Sequence, residues 1–248
     1  MIHVFGLAYG VADYVRQSVE SILDTAGAPL CLTVIENPSR ATPEIEADMT
    51  ALVEQGRVHR YVQLATNVRG AAYLDVTDRY LARDMGDVYA ERDFLVWTDL
   101  DLLAPPQAFG VGWADQLTTV MREGVFHGGG TIPSVYRDPP DVAAFALDLG
   151  NYVPPNDGHL DTPTRSGVWL MALRRSFLAT LARGRVHLDG EICQAAEARG
   201  GFLQLPAPRL YHLGWDLWRD APWYWQEKQR GVPWDVYAPA VIAKVVER

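Results

Sequence analysis

The sequence predicts an α/β fold, a mostly parallel central sheet flanked by helices, and three observations carry that prediction. Apolar runs with strand character alternate with segments of helical spacing, in the order β-α-β-α-β-α-β from Ile2 to Asp101. That order gives a parallel sheet with helices on both faces. Polar residues cluster just after the apolar runs, at 36–39, 66–70 and 99–101, and ligands of open α/β sheets collect beyond the carboxyl ends of the strands. Finally, 248 residues at 48% hydrophobic and 21% charged suffice to bury a sizeable core in one large domain.

Each element has its own warrant. Residues 2–8 are an apolar run ending at Tyr9-Gly10, a first buried strand. Asp13 or a neighbour caps a helix in which Tyr14, Val15, Val19, Ile22 and Leu23 recur at helical spacing, and Gly27 and Pro29 end it. Residues 30–35 form a second strand closed by Glu36-Asn37-Pro38-Ser39, residues 43–55 a helix, and 58–64 a third strand. Thr66-Asn67-Val68-Arg69-Gly70 then leads into an alanine-rich helix running to Leu81. A helix start after a small-residue turn suits an anion, and Arg69 could pair with a phosphate there.

Phe94-Leu95-Val96-Trp97-Thr98-Asp99-Leu100-Asp101 is the stretch on which the rest is organised. Its apolar half reads as a buried strand. Asp99 and Asp101 follow at its end, with Leu100 turned back toward the core. Two acids so placed can share a hard divalent cation, which takes oxygen ligands. They could equally be turn residues that end the strand.

Beyond Pro105-Pro106, residues 114–121 are helical and 126–132 strand-like, with glycines that allow close backbone approach. Residues 133–163 read as loops over the site, with a helical patch near 142–149. A strand at 166–173, a helix starting at 174–178, a helix over 192–199 and a late strand at 202–205 follow. The tail holds Trp215, Trp218, Trp223, Trp225 and Trp234, five of the eight tryptophans. Such rings can stack on sugars or anchor the segment to the domain.

The net charge of -9 gives no long-range attraction to nucleic acid or anionic lipid. Cys31 and Cys193 lack zinc or CxxC spacing and read as packed, reduced thiols. Met1-Ile2-His3-Val4 enters a strand with no basic region or cleavage site, and no apolar run approaches the roughly 20 residues a membrane span needs. A soluble, cytoplasmic protein is expected.

The order of these segments resembles the family 2-like glycosyltransferases with the GT-A fold, from Ile2 to about Gly214. Val34-Ile35-Glu36-Asn37-Pro38-Ser39 looks like that family's nucleotide-gripping strand and turn. Residues 66–72 are similar to its Asn-x-Gly turn and helix. Trp97-Thr98-Asp99-Leu100-Asp101 falls where its metal-binding DxD motif falls, and Ser166-Gly167-Val168 followed by Arg174-Arg175-Ser176-Phe177 matches its glycine-led strand and basic turn. Leu188-Asp189-Gly190-Glu191-Ile192 looks like its Glu-Asp-x-Asp-Leu helix start, and His212 sits where many GT-A enzymes place a late metal-binding histidine. Glu36 stands for the commoner Asp, Leu188 for the usual acid, and Ala195 for an expected arginine.

The resemblance implies a nucleotide-sugar-binding half over 1–104, an acceptor-side half over 105–214 and an aromatic C-terminal segment over 215–248. It implies donor contacts from Ala8, Tyr9, Glu36, Asn37, Asn67, Arg69, Asp99 and Leu100, and acceptor contacts from Ser166, Gly167, Trp169 and Trp215. Asp99, Asp101 and His212 would hold Mn²⁺ or Mg²⁺. Asp189 would be the base of an inverting transfer, with Glu191 as the fallback; an N-cap role for Asp189 stands against this. The expected activity is transfer of a sugar from a nucleotide-sugar, UDP taken before GDP, to a hydroxyl of a glycan, small molecule or other acceptor. A nucleic-acid acceptor stays open. A sugar-phosphate nucleotidyltransferase is the alternative, although residues 7–12 lack its glycine-rich basic loop. A non-catalytic sugar-binding protein on the same fold is the third reading.

Overall fold

The computed structural model describes residues 1–86, 93–104, 107, 110–123, 128–133, 168–198, 202–213, 216, 217, 220, 221, 223, 224, 226, 227, 233 and 236–248. The strands are β1 Ile2–Ala8, β2 Leu30–Glu36, β3 Arg60–Leu64, β4 Phe94–Asp99, β5 Leu102–Leu103, β6 Gly128–Pro133, β7 Met171–Arg174, β8 Phe202–His212 and β9 Ile242–Glu247. The helices are α1 Ala12–Thr25, α2 Thr42–Glu54, α3 Ala71–Met85, α4 Trp113–Glu123, α5 Arg175–Leu178 and α6 Asp189–Glu197. The strands form one sheet in the order β5-β8-β6-β7-β4-β1-β2-β3-β9.

Its centre is the predicted parallel unit. β3, β2, β1 and β4 run parallel, with Ala8 opposite Glu36 and Leu7 opposite Asp99. The C-terminal ends of three strands therefore lie at one level. Beyond β4 the sheet turns antiparallel through β7, and β6 and β8 pair parallel further out. On the other flank β9 pairs antiparallel with β3, with no counterpart in the sequence reading.

Two apolar layers sandwich the sheet. Val15, Val19 and Ile22 of α1, Ile45 and Met49 of α2, and Trp113 and Leu117 of α4 pack on one face. Tyr73, Val76 and Tyr80 of α3, Phe177 of α5 and Ile192 of α6 pack on the other. Val4 and Val96 belong to the first layer and Phe5, Leu95 and Trp97 to the second, the two-residue alternation of a strand. Both cysteines are buried thiols outside any disulfide, as expected.

Several boundaries move. No side chain caps α1; Val11 is its cap residue and Asp13 lies in its first turn. α6 begins at Asp189, not at Ile192, and the resembled basic turn is structural: Arg174 Nη2 donates to the Met121 carbonyl at 2.6 Å and Arg175 Nη2 to the Gly86 carbonyl at 2.9 Å. β8 runs on to His212, so that residue ends a strand rather than lying in a loop. The β6–β8 register slips between the Thr131–Leu205 and Pro133–Leu210 pairs. Pro206 and Pro208 fall there and have no N–H to give a ladder. The helical patch expected near 142–149 lies outside the described residues. No described helix is long and apolar enough to cross a membrane.

Candidate active site

An open cleft of about 870 Å³ lies at the carboxyl edge of β1, β2 and β4, and its walls include Tyr9, Asn37, Asn67, Arg69, Asp99, Leu100, Asp101 and Asp189. All eight are among the residues expected from the sequence.

Asn37 anchors one wall. Its backbone N–H donates to the Ala8 carbonyl at 3.0 Å. Its Oδ1 accepts the Val68 N–H at 2.9 Å, and its Nδ2 donates to the Arg69 carbonyl at 3.3 Å. Asn67 Oδ1 accepts the Arg69 N–H at 3.0 Å, a side-chain-mimicked turn. These bonds hold Arg69 at φ 54, a left-handed conformation rare for a residue with a Cβ. Arg69 thereby lines the cleft and is 8% exposed. Burial pulls Arg69 below its ordinary pKa, and nearby Tyr9 works against that shift.

Asp99 ends β4 on the α3 side. Its N–H donates to the Val168 carbonyl at 2.7 Å, and the Leu100 N–H donates to the Leu7 carbonyl at 2.8 Å. Leu100 is buried in the core as expected. The hydroxyl of Tyr73 donates to Asp99 Oδ1 at 2.7 Å. Burial pushes the Tyr73 phenol well above its ordinary pKa, with Asp99 adding to it and Asp189 and Asp101 contributing from further off. It is therefore a fixed proton donor.

Asp101 is placed differently. Its carbonyl accepts the Leu213 N–H at 2.7 Å, and Leu102 pairs with His212 across β5 and β8. His212 Nε2 lies 3.4 Å from Asp101 Oδ1. Two ligands about 2.1 Å from an octahedral ion stand about 3.0 Å apart when adjacent, so this separation is within reach of one cation. Trp169 packs on the imidazole, ring centroids 5.3 Å apart. Asp99 does not converge with this pair. Among the described residues the trio with one ligand atom each within 4.8 Å is His3, Cys31 and Asp84, at the opposite edge of the sheet. Both Asp84 oxygens there are engaged by Arg60 at 2.8 and 2.9 Å.

Asp189 lines the cleft as the first residue of α6. It is not the helix cap, for Leu188 is, and the Leu188 N–H donates to Glu191 Oε2 at 3.3 Å.

Five expected residues, His212 among them, are not in the cleft wall. Glu36 is fully buried, and the Tyr61 hydroxyl donates to its carboxylate. Strand alternation sends Glu36 to the α1–α2 face and Asn37 to the cleft. Burial raises the Glu36 pKa, and the Tyr61, Thr42 and Gln63 side chains offset part of the rise. Glu191, the expected fallback base, accepts the Leu188 N–H at 3.3 Å and Arg185 Nη2 at 3.1 and 3.2 Å. Ala8 is fully buried and offers its carbonyl to Asn37. Trp169 serves His212 instead. Ser166, Gly167 and Trp215 lie outside the described residues.

Sequence reasoning misses Tyr73, Trp97, Arg185, His187 and Tyr224, which also line the cleft. Arg185 and His187, two basic side chains just before the α6 start, are a readable signal. Tyr73 carries none.

No family model matches the chain, and no curated protein matches it by sequence. Solved structures do. A mannosyltransferase from Pyrobaculum calidifontis in complex with GDP-Man and Mn²⁺ matches with a TM-score of 0.55 at 15% identity, over 94% of this chain and 65% of that one. TarS of S. aureus matches with a TM-score of 0.53 at 12% identity, over 85% and 36%. GalNAc-T7 with UDP, GalNAc and Mn²⁺ matches with a TM-score of 0.51 at 12% identity, over 86% and 43%. The chain has the GT-A glycosyltransferase-like fold, and it spans less than two thirds of the length of each of these neighbours.

Proposed function

We propose that this protein is a metal-dependent glycosyltransferase that takes a sugar from a nucleotide-sugar and places it on an acceptor hydroxyl with inversion. UDP-sugars are the first donors to test and GDP-sugars the second, and Mn²⁺ or Mg²⁺ is the cation. The observation that carries this reading is the convergence of Asp101, Asp99, Arg69 and Asp189 on one cleft at the carboxyl edge of the sheet. The GT-A fold supports it, and so does the likeness to a mannosyltransferase that binds GDP-Man and Mn²⁺.

Asp101 and His212 would hold the cation, with Asp99 beside them. When bound, it would neutralise the negative charge that builds on a departing nucleoside diphosphate. Arg69, fixed by the Asn37 and Asn67 bonds, offers a second positive group to phosphate oxygens without reorganising. Tyr9 and Tyr224, ring centroids 5.5 Å apart, give the cleft an aromatic wall that suits a base or sugar face. Asp189 accepts the proton of the acceptor hydroxyl as its oxygen attacks the anomeric carbon. The new carbon–oxygen bond forms as the bond to the diphosphate oxygen breaks, which inverts the centre.

The test is calorimetry of UDP and GDP with Mn²⁺ or with EDTA, together with turnover of nucleotide-sugars. Metal-dependent binding of either nucleotide is expected. Asp189→Asn should keep that binding and lose about 10²–10⁴-fold in kcat. No binding of either nucleotide with Mn²⁺ would sink the proposal; unchanged kcat in Asp189→Asn would reject the base.

A further inference from the structure

A second, smaller cleft of about 330 Å³ lies beside the first and shares Arg69, Gly70, His187 and Asp189 with it. Asp189, the proposed base, therefore borders both. Beyond that shared rim the described walls are Val68, Val186, Leu188, Pro233 and Val236. All five are apolar, and none of these side chains can make a hydrogen bond. At Gly70 the rim is open, for a Cβ there would meet nothing within 4 Å.

The walls are tied in place. The Val236 N–H donates to the Pro233 carbonyl at 3.1 Å. Just after it, the Tyr237 hydroxyl and the Ala240 N–H donate to Asp75 Oδ2 at 3.0 and 2.8 Å, which pins this part of the C-terminal segment to α3. His187 Nε2 donates to the Ala182 carbonyl at 2.8 Å and so fixes the ring at the rim. Leu188 is the cap residue of α6, yet its side chain cannot accept an amide N–H there. It is 44% exposed, and Val236 is 48% exposed. Folding gains little from either side chain: a polar cap would serve the helix better, and both leave apolar surface in water. A ligand with apolar surface would give both a partner.

We propose that this cleft is the acceptor subsite and that the acceptor is an alcohol with an apolar body, not a sugar. A sugar brings several hydroxyls that need partners, and these walls supply none. The apolar body lies against Val186, Leu188 and Val236 while its hydroxyl reaches Asp189. The hydroxyl oxygen attacks the anomeric carbon and its proton passes to Asp189. The bond from that carbon to the diphosphate oxygen breaks, and the nucleoside diphosphate leaves with the electron pair. This inference rests on the larger cleft being the donor site proposed above.

The experiment follows the Leu and Val methyl signals by nuclear magnetic resonance in protein saturated with UDP and Mg²⁺. The titrants are butan-1-ol, pentan-1-ol, hexan-1-ol and D-glucose. Hexan-1-ol should shift the methyls of Val186, Leu188 and Val236 saturably, and each added methylene should tighten binding about two- to fourfold. D-glucose should leave those signals in place. Leu188→Asn supplies a cap and no new charge, so its melting temperature should be kept or raised, while hexan-1-ol affinity falls about fivefold or more. Damage to the fold lowers the melting temperature, so that combination is not a generic consequence of mutation. If Leu188→Asn does not fold, Val236→Asn carries the same expected loss of affinity. Absence of saturable shifts with hexan-1-ol, tighter binding of D-glucose at these methyls, or unchanged hexan-1-ol affinity in the folded variant each overturns the inference and leaves the proposed function standing. Failure of UDP to bind removes the proposed function, and the acceptor role with it, whatever the alcohols do.

Discussion

Gly10 is where the cleft and the C-terminal segment meet, and replacing it by alanine tests how they depend on each other. Gly10 has φ +102, and a Cβ there would lie 2.4 Å from Tyr224 Cδ2 and 2.5 Å from Cε2. Tyr224 is 2% exposed and packs with Leu217, Ala221 and Tyr9. Its segment is tied down by Tyr14, whose hydroxyl donates to Asp220 at 2.9 Å, and by Arg40, which donates to Glu227 at 2.7 Å and lies 4.3 Å over the Trp223 ring. The ring therefore cannot step aside cheaply. The backbone part of the cost is about 1–3 kcal/mol and the overpacking part about 1–3 kcal/mol. Gly10→Ala should thus lose about 2–6 kcal/mol in urea unfolding. In a Tyr224→Ala background the ring is gone and only the backbone part should remain, about 1–3 kcal/mol. The double-mutant cycle then returns the steric part directly. Nucleotide affinity should fall in Gly10→Ala, because Tyr224 is displaced from the cleft wall. Equal losses of stability in the two backgrounds would show that Tyr224 is not the obstacle and that the segment yields freely.

Two further substitutions separate stability from binding. Arg60 is fully buried, engages both oxygens of Asp84, donates to Glu247 at 2.9 Å and lies 4.0 Å over the Tyr80 ring. Arg60→Met should cost about 3–5 kcal/mol by leaving the buried side of Asp84 with only Arg83, whose Nε stands 3.3 Å from its Oδ1, read by urea unfolding at pH 7. Burial pushes the Asp84 carboxyl up, but Arg60 and Arg83 together outweigh it and leave its pKa below the usual value. The stability this gives is present above the unfolded pKa of about 3.9 and is lost as pH falls. The Arg60→Met penalty should therefore shrink in acid, and a penalty independent of pH would refute the pairing. Glu36 behaves in the opposite sense. Its folded pKa is raised, chiefly by burial, so its contribution is fully present below the unfolded pKa of about 4.3 and is lost as pH rises through the folded value. Glu36→Gln should gain stability relative to wild type as pH rises from about 4 to about 8, by about 1–3 kcal/mol at most, with UDP affinity unchanged. Loss of UDP binding would return Glu36 to the site.

What the sequence discloses follows from which physical signals act locally. β1 lies at the expected Ile2–Ala8 and β2 runs one residue longer than expected, because each is a continuous apolar run stopped by polar or glycine residues. The same continuity hides the direction of each side chain. With both faces of β2 buried, no alternation distinguishes Glu36 from Asn37, and an acid at a strand end draws the nucleotide role on chemistry alone. The structure gives the cleft to its neighbour. β9 escapes the sequence reading although Ile242, Val245 and Val246 give it β-branched character; as an edge strand it leaves Ile242 and Val246 only half-buried and Val245 exposed. The acids of the β4 turn are legible as a pair, since strand-end carboxylates stand out from an apolar run. Their division is not legible. It depends on Tyr73, 26 residues earlier than Asp99, and on His212, brought beside Asp101 by an antiparallel pairing of β5 with β8. Neither relation leaves a periodicity or a motif. A motif of two acids therefore marks a place at the sheet edge, whereas the partners of each acid come from parts of the chain that the motif does not reach.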